Sequence, residues 1–262
     1  MFAEERHQRI AELVAAQGRV GVNELAELFS ITQETVRRDL AALEISGQLR
    51  RVHGGAVGPE GLTRSELSLT ERQSQRLDEK QRIATAALAL VPNAPTASIL
   101  LDSGTTTAAL AERLAGWAPA NTGDELLVIT NSLPTAASLS TNKHLLLDIV
   151  GGRVRGLTSA VVGARATEQL SALRPDIAFI GTNGIHADFG LSTPDPVEAA
   201  TKTAMVRAAR QVVVVADASK LGAETLVRFA TLEEIDTLIT TAEPSTELAA
   251  ALSAAGVEIV IA

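Results

Sequence analysis

At 262 residues, 46% of them hydrophobic, the chain can bury a sizeable core and has the length for one small domain and one larger one. It has no cysteine, which excludes a disulfide framework and any thiolate metal site, and no apolar run near the ~18 residues that cross a bilayer. The formal net charge is −8, so a nucleic-acid or anion site must be a local concentration of cations on an acidic background. The charged start MFAEERHQRI has no apolar leader, and the expectation is a soluble cytoplasmic protein with no membrane partner.

In residues 4–16, Ile10, Leu13 and Val14 fall at helical spacing, and Gln17-Gly18-Arg19 ends the helix. Asn23 is a suitable N-cap for a second helix over residues 24–29, and Ser30 to Thr32 make a tight turn. Val36, Leu40 and Leu43 then recur at i, i+4, i+7 and give a third helix one apolar face. Opposite that seam lie Glu34 and Arg38, with Thr35 and Arg37 on the shoulders. Gly47 supplies a stop, and residues 49–57 alternate briefly through a Gly54-Gly55 turn.

Three helices and a hairpin predict a winged helix-turn-helix over residues 1–57. Gln33, Thr35, Arg37 and Arg38 of the reading helix, with Arg50, Arg51 and His53 of the wing, are its candidate contacts to double-stranded operator DNA. A small helical interaction domain is the alternative, but it leaves unexplained why both arginine pairs fall on a reading helix and a wing. Seven arginines stand against eight acids in this segment. Non-specific affinity is therefore expected to be modest, and useful affinity to need a homodimer or homotetramer on paired half-sites.

Residues 58–75 predict a linker, polar and turn-rich over 59–68, and a long helical stretch spans 69–90. Residues 76–262 predict a larger α/β domain. Its runs SILL, LLVIT, LLLDIV, DIAFIG, QVVVVA, DTLITT and VEIVIA alternate with helical stretches such as 108–114 and 197–209, the pattern of a largely parallel sheet covered on both faces. Ligands of such sheets bind beyond the carboxyl ends of the strands. Four polar strand ends are candidates. Asp102, Ser103, Gly104, Thr105, Thr106 and Thr107 precede a helix, where amides and hydroxyls suit a phosphate, or where the hydroxyls merely cap. Asn131 and Ser132 suit a sugar hydroxyl or phosphate and a cap equally. Asn183 lies between two glycines, and Asp217 with Lys220 follows QVVVVA, where a plain surface ion pair is the alternative. No metal is expected from four scattered histidines. Only Lys80, Lys143, Lys202 and Lys220 are lysines, which makes each informative.

The combination TVRRDL with RVHGGA, followed downstream by LLDSGTTT, VITNS, GGRVRGLTSAVVG, DIAFIGTNGI, GLSTPDPVEAATKTAMVRAA and VVVVADASKLG, resembles the DeoR family of bacterial transcriptional regulators over nearly the whole chain. The resemblance implies a sensor domain similar to the ribose-5-phosphate isomerase fold and a repressor of carbohydrate-metabolism or sugar-uptake genes, released by a phosphorylated sugar. A fructose phosphate is the first to test, and no cofactor is implied. It also implies that Lys80, the 102–107 loop, Glu198, Lys202, Asp217 and Lys220 form the effector pocket. Many relatives carry an aspartate in place of Asn183, so here the pocket rim loses an anion. Two other functions fit parts of this reading: a sugar-phosphate isomerase with an appended DNA-binding domain, and an architectural DNA binder, which would not need so large a second domain. The expectation is a regulator and not an enzyme.

Overall fold

The computed structural model describes residues 3–17, 19–46, 48–52, 54–57, 69–121 and 123–262. Gly47, His53 and the 59–68 stretch of the expected linker lie outside the described residues. The chain divides into two compact units, Met1–Glu66 and Leu67–Ala262.

The first unit runs α1 (Ala3–Gln17), β1 (Arg19–Gly21), α2 (Val22–Phe29), α3 (Gln33–Ile45), β2 (Arg50–Val52) and β3 (Gly55–Val57). The expected seam of Val36, Leu40 and Leu43 is buried against Ile10, Val14 and Leu25. Two local readings need correction. Asn23 does not cap α2: the N-cap is Gly21, whose N–H is met by Glu24 Oε2 at 3.3 Å, because the chain enters this helix straight from a strand. That strand, β1, was not expected. It pairs antiparallel with β3, so the wing is a three-stranded sheet in the order β1-β3-β2. Ser30 makes the turn into α3 with φ 52, and Thr32 caps α3 by accepting the Thr35 N–H at 3.2 Å.

The second unit opens with α4 (Leu69–Ser74) and α5 (Leu77–Leu88), where one helix over 69–90 was expected. Arg76, left-handed at φ 51 and ψ 41, forces the break. The division puts α4 with this unit and not with a linker reaching residue 75. The rest runs β4 (Thr96–Leu101), α6 (Thr105–Leu114), β5 (Glu125–Thr130), α7 (Leu133–Leu139), β6 (Leu145–Ile149), β7 (Arg153–Arg155), β8 (Ala160–Val162), α8 (Ala164–Ser171), β9 (Ile177–Gly181), β10 (Gly184–His186), β11 (Gly190–Thr193), α9 (Pro196–Ala208), β12 (Gln211–Val215), β13 (Val227–Ala230), β14 (Thr237–Thr240), α10 (Thr246–Ala254) and β15 (Glu258–Ile261).

All seven strand-like runs of the sequence join one parallel sheet in the order β15-β14-β12-β9-β4-β5-β6. Both faces are buried: Leu100, Val212 and Val214 belong to one core, while Ile99, Leu101, Val213 and Val215 belong to the other. Burial on both sides is why these strands read as continuous aliphatic runs. The β7–β8 hairpin and the small antiparallel sheet β10-β11-β13 were not expected. Among the described residues, no helix is long and apolar enough to cross a membrane.

Candidate functional sites

In the first unit, α3 turns Gln33, Glu34, Arg37 and Arg38 to solvent, and Thr35 is half-buried with its hydroxyl 2.9 Å from that of Thr32. Asp39 is buried on the same helix. Arg6 grips it through two hydrogen bonds of 2.5 and 3.0 Å, and His7 Nε2 lies 2.9 Å away. Burial pushes the Asp39 carboxyl up, but the hydrogen bonds from Arg6 and His7 outweigh it and hold the group below its ordinary range. The acid counted against the arginines of this helix is thus already neutralised from α1. Arg50 and Arg51 sit on β2, beside the turn at Gly54.

In the second unit, β4 has β5 on one side and β9 on the other, so the winding of the sheet reverses at its carboxyl end. A cavity opens there, where the general rule for such sheets places ligands. Ser103 to Thr107 line it after β4, Gly181 to Asn183 after β9, and Asp217, Ser219 and Lys220 after β12. Glu198 and Lys202 reach it from α9, Thr158 from the β7–β8 turn, and Arg72, Gln75, Arg76 and Lys80 from the α4–α5 elbow.

The 103–107 loop ends in an uncapped helix. The N-cap of α6 is Gly104, and no side chain satisfies its first amides. Thr107 turns its hydroxyl inward to the carbonyls of Asp102 and Gly104, at 2.7 and 3.0 Å, and is occupied there. Free amides, the helix dipole and the hydroxyls of Ser103, Thr105 and Thr106 are what an anion would meet.

Three expected residues lie outside the lining of this cavity. Asp102 lines not this cavity but a small one beside it, with Asn131 and the shared Ser103, Glu198 and Lys202: it is 1% exposed, paired with Lys202 and accepting the Gly181 N–H at 3.1 Å. Burial pushes its carboxyl up against the pull of Lys202. Asn131 is buried, donating to Val161 O at 3.1 Å, because the β8 strand covers it. Ser132 accepts the Thr135 N–H at 3.3 Å and caps α7, the plainer of its two readings.

The remaining expected residues do border the cavity, each already engaged. Lys80 is 4% exposed, and its ammonium donates to the carbonyls of Arg72 and Gln75 at 2.5 and 2.6 Å. Burial lowers its affinity for a proton, although Asp217 opposes this. Lys202 also donates to Gly181 O at 2.8 Å and stands over the Phe229 ring. Glu198 accepts from Thr158 at 2.5 Å and Arg155 at 3.3 Å, and Asp217 caps its own turn by accepting from Ser219 N at 3.0 Å. Thr193 donates to Asn183 Oδ1 at 3.1 Å, so what Asn183 can offer a ligand is its amide N–H groups.

Arg72, Arg76 and Thr158 were missed. The two arginines had a signal, because Arg72, Arg76 and Lys80 are spaced four apart and so share one helical face in the sequence pattern. Thr158 lies in the GGRVRGLTSAVVG stretch that carries the family resemblance, but no local pattern ties it to Glu198, 40 positions away in sequence. With them, five cationic side chains face two acids around the cavity.

A winged helix-turn-helix unit followed by an α/β unit with a cationic cavity at its switch point is the build of a transcription regulator. The model of the DeoR-like helix-turn-helix domain matches residues 6–60, and that of the DeoR C terminal sensor domain matches residues 75–242. The chain is 35% identical over 260 residues to the HTH-type transcriptional regulator GlpR of Haloferax volcanii, covering 99% of this chain and 98% of that protein. It is 33% identical over 246 residues to the regulator FruR of Bacillus subtilis, 94% of each, and 32% identical over 240 residues to the glycerol-3-phosphate regulon repressor of Escherichia coli, 92% and 91%. The chain belongs to the DeoR family of transcriptional regulators. Among solved structures, ribose 5-phosphate isomerase from Plasmodium falciparum overlaps 54% of this chain and 52% of its own at a TM-score of 0.38 and 16% identity, a likeness too loose to bear on chemistry.

Proposed function

We propose that the protein represses carbohydrate-metabolism or sugar-uptake genes and leaves its double-stranded operator when a small phosphorylated sugar occupies the cavity of the second unit. The carrying observation is electrostatic. Residues 58–262 hold sixteen basic and twenty-three acidic side chains, yet Arg72, Arg76, Lys80, Lys202 and Lys220 converge where an uncapped helix begins. An acidic unit that gathers cations around free amides is suited to a phosphoryl group. The names of the relatives, a glycerol-3-phosphate regulon repressor among them, favour the same class. The exposed Arg37 and Arg38, with Arg50 and Arg51 on the wing, are the proposed DNA contacts, and a homodimer or homotetramer would present them to paired half-sites.

A thermal-shift screen of phosphorylated sugars, fructose phosphates first, tests this. Ligand at about 100 times its Kd should stabilise the protein by roughly 2.7 kcal/mol, and the same compound should release labelled operator. A panel in which no phosphorylated sugar stabilises the protein would reject the reading. An isomerase needs a carboxylate poised as a base, and the two at this cavity, Glu198 and Asp217, are tied to Thr158 with Arg155 and to Ser219. Ketose formation from ribose 5-phosphate is therefore not expected.

A further inference from the structure

Arg76 holds a backbone conformation, φ 51 and ψ 41, that side chains of its kind rarely adopt. It is the N-cap of α5, yet its side chain makes no capping hydrogen bond. Short acceptors serve that position because they satisfy helix N–H groups, and a guanidinium, which only donates, cannot. Nor does its ion pair explain the residue. Nη1 lies 2.7 Å from Glu79 Oε1, but the arginine side chain is 46% exposed, and an exposed i,i+3 pair stabilises little. Local helix logic gives no reason for an arginine here.

The cavity gives one. Arg76 lines it together with the 103–107 loop, and its Nε stands 3.7 Å from Asp217 Oδ1. Both acids keep other partners without it: Glu79 accepts from Thr241 Oγ1 at 2.7 Å, and Asp217 from Ser219 Oγ at 2.5 Å. The guanidinium can move without stranding a carboxylate. Lys80 and Lys202 are held by carbonyls and by Asp102, and a lysine is in any case a point charge. A guanidinium fork can grip two phosphoryl oxygens at once.

We propose that Arg76 is the bidentate phosphoryl-binding residue of this cavity, an assignment that rests on the anion reading above. On binding, its guanidinium passes from Asp217 to the phosphoryl oxygens, and the strained backbone at position 76 is what aims it. Backbone strain of this kind persists where a site requires it.

The test uses the full-length protein and inorganic phosphate, titrated by thermal shift at ionic strength held constant with chloride. Arg76→Asn is expected to melt above wild type without phosphate, because asparagine tolerates the left-handed conformation, and this also shows that the variant folds. Its phosphate Kd should weaken by at least about tenfold, and that of Arg76→Lys by nearly as much, since the charge stays and the fork is lost. Wild-type phosphate affinity in either variant overturns the assignment. Lys220→Ala separates the two ideas: if it alone loses phosphate, Arg76 is excluded and the anion reading stands. If phosphate stabilises none of the four proteins, the anion reading itself falls.

Discussion

Two of the buried charged sites, the Lys202–Asp102 pair and Asp39, each make a measurable claim. Lys202 and Asp102 form an ion pair with side chains 7% and 1% exposed. Removing one member of such a pair leaves a buried charge without a partner. Lys202→Met is therefore expected to destabilise the protein by roughly 3–5 kcal/mol in urea unfolding. Adding Asp102→Asn should recover most of that, because the amide oxygen still accepts the Gly181 N–H while the charge is gone. An equally unstable double variant would show that packing, and not charge, sets the loss. Asp39 makes the second claim. Its carboxyl is held below the ordinary range by Arg6 and His7, so its contribution is fully present above about pH 3.9 and is lost as pH falls through its lowered folded value. Amide exchange in α1 and α3 should accelerate through that acid window in wild type, and Asp39→Asn should flatten the dependence. A wild-type profile that stays flat there refutes the coupling.

At the level of elements, the wing depends on two glycines for different reasons. Gly54 turns the chain at φ +79, with nothing within 4 Å of an added Cβ. Gly55 is not strained, but an added Cβ would stand 2.0 Å from Val20 O, on the β1 strand that pairs with β3. Gly54→Asn should be nearly silent, since asparagine enters the left-handed region. Gly55→Ala must move a strand, and is expected to destabilise the first unit by roughly 1–3 kcal/mol. Calorimetry of the two variants ranks them, and the reverse order would mean that β1 does not pair as described. The β1 strand escaped the sequence reading because three residues, Arg19 to Gly21, carry too short a pattern to show period two. The α4–α5 break escaped for the opposite reason. Every residue of TERQSQRLDEK is compatible with helix, and what ends α4 is the capture of its last carbonyls by Lys80 together with the turn at Arg76.

For the whole molecule, a ligand can change operator affinity only by binding two arrangements unequally, and the coupling must run both ways. Helix α4 is the first described element after residues 58–68, and Lys80 ties its end to α5. An anion drawing on Lys80 competes with that tie. Lys80→Ala is accordingly expected to keep operator binding within about threefold of wild type, less than 1 kcal/mol, while losing its response to the proposed phosphorylated sugar. Fluorescence anisotropy with labelled operator measures both. In wild type, saturating operator should weaken effector binding by the factor by which effector weakens operator binding. A Lys80→Ala protein that releases operator at the wild-type effector concentration excludes this route.

The seven strands of the parallel sheet could be read from sequence because burial on both faces demands unbroken Val, Ile and Leu, a constraint written at each position locally. The reading helix was legible likewise, since one buried seam sets the spacing of Val36, Leu40 and Leu43. What tertiary structure decided was which polar groups meet. Asp39 lies beside that seam, and only the packing of α1 makes it the partner of Arg6 and not an acid on a DNA-facing surface. Asp102 and Lys202 are 100 positions apart and meet because β4 and α9 converge at the switch point. Thr158 became a neighbour of Glu198 in the same way, whereas Ser132 caps α7 through a local contact that the sequence already offered. Periodicity reports how a residue faces its own element. The partner of a buried charge depends on which elements are brought together, and that distance lies in the fold, not along the chain.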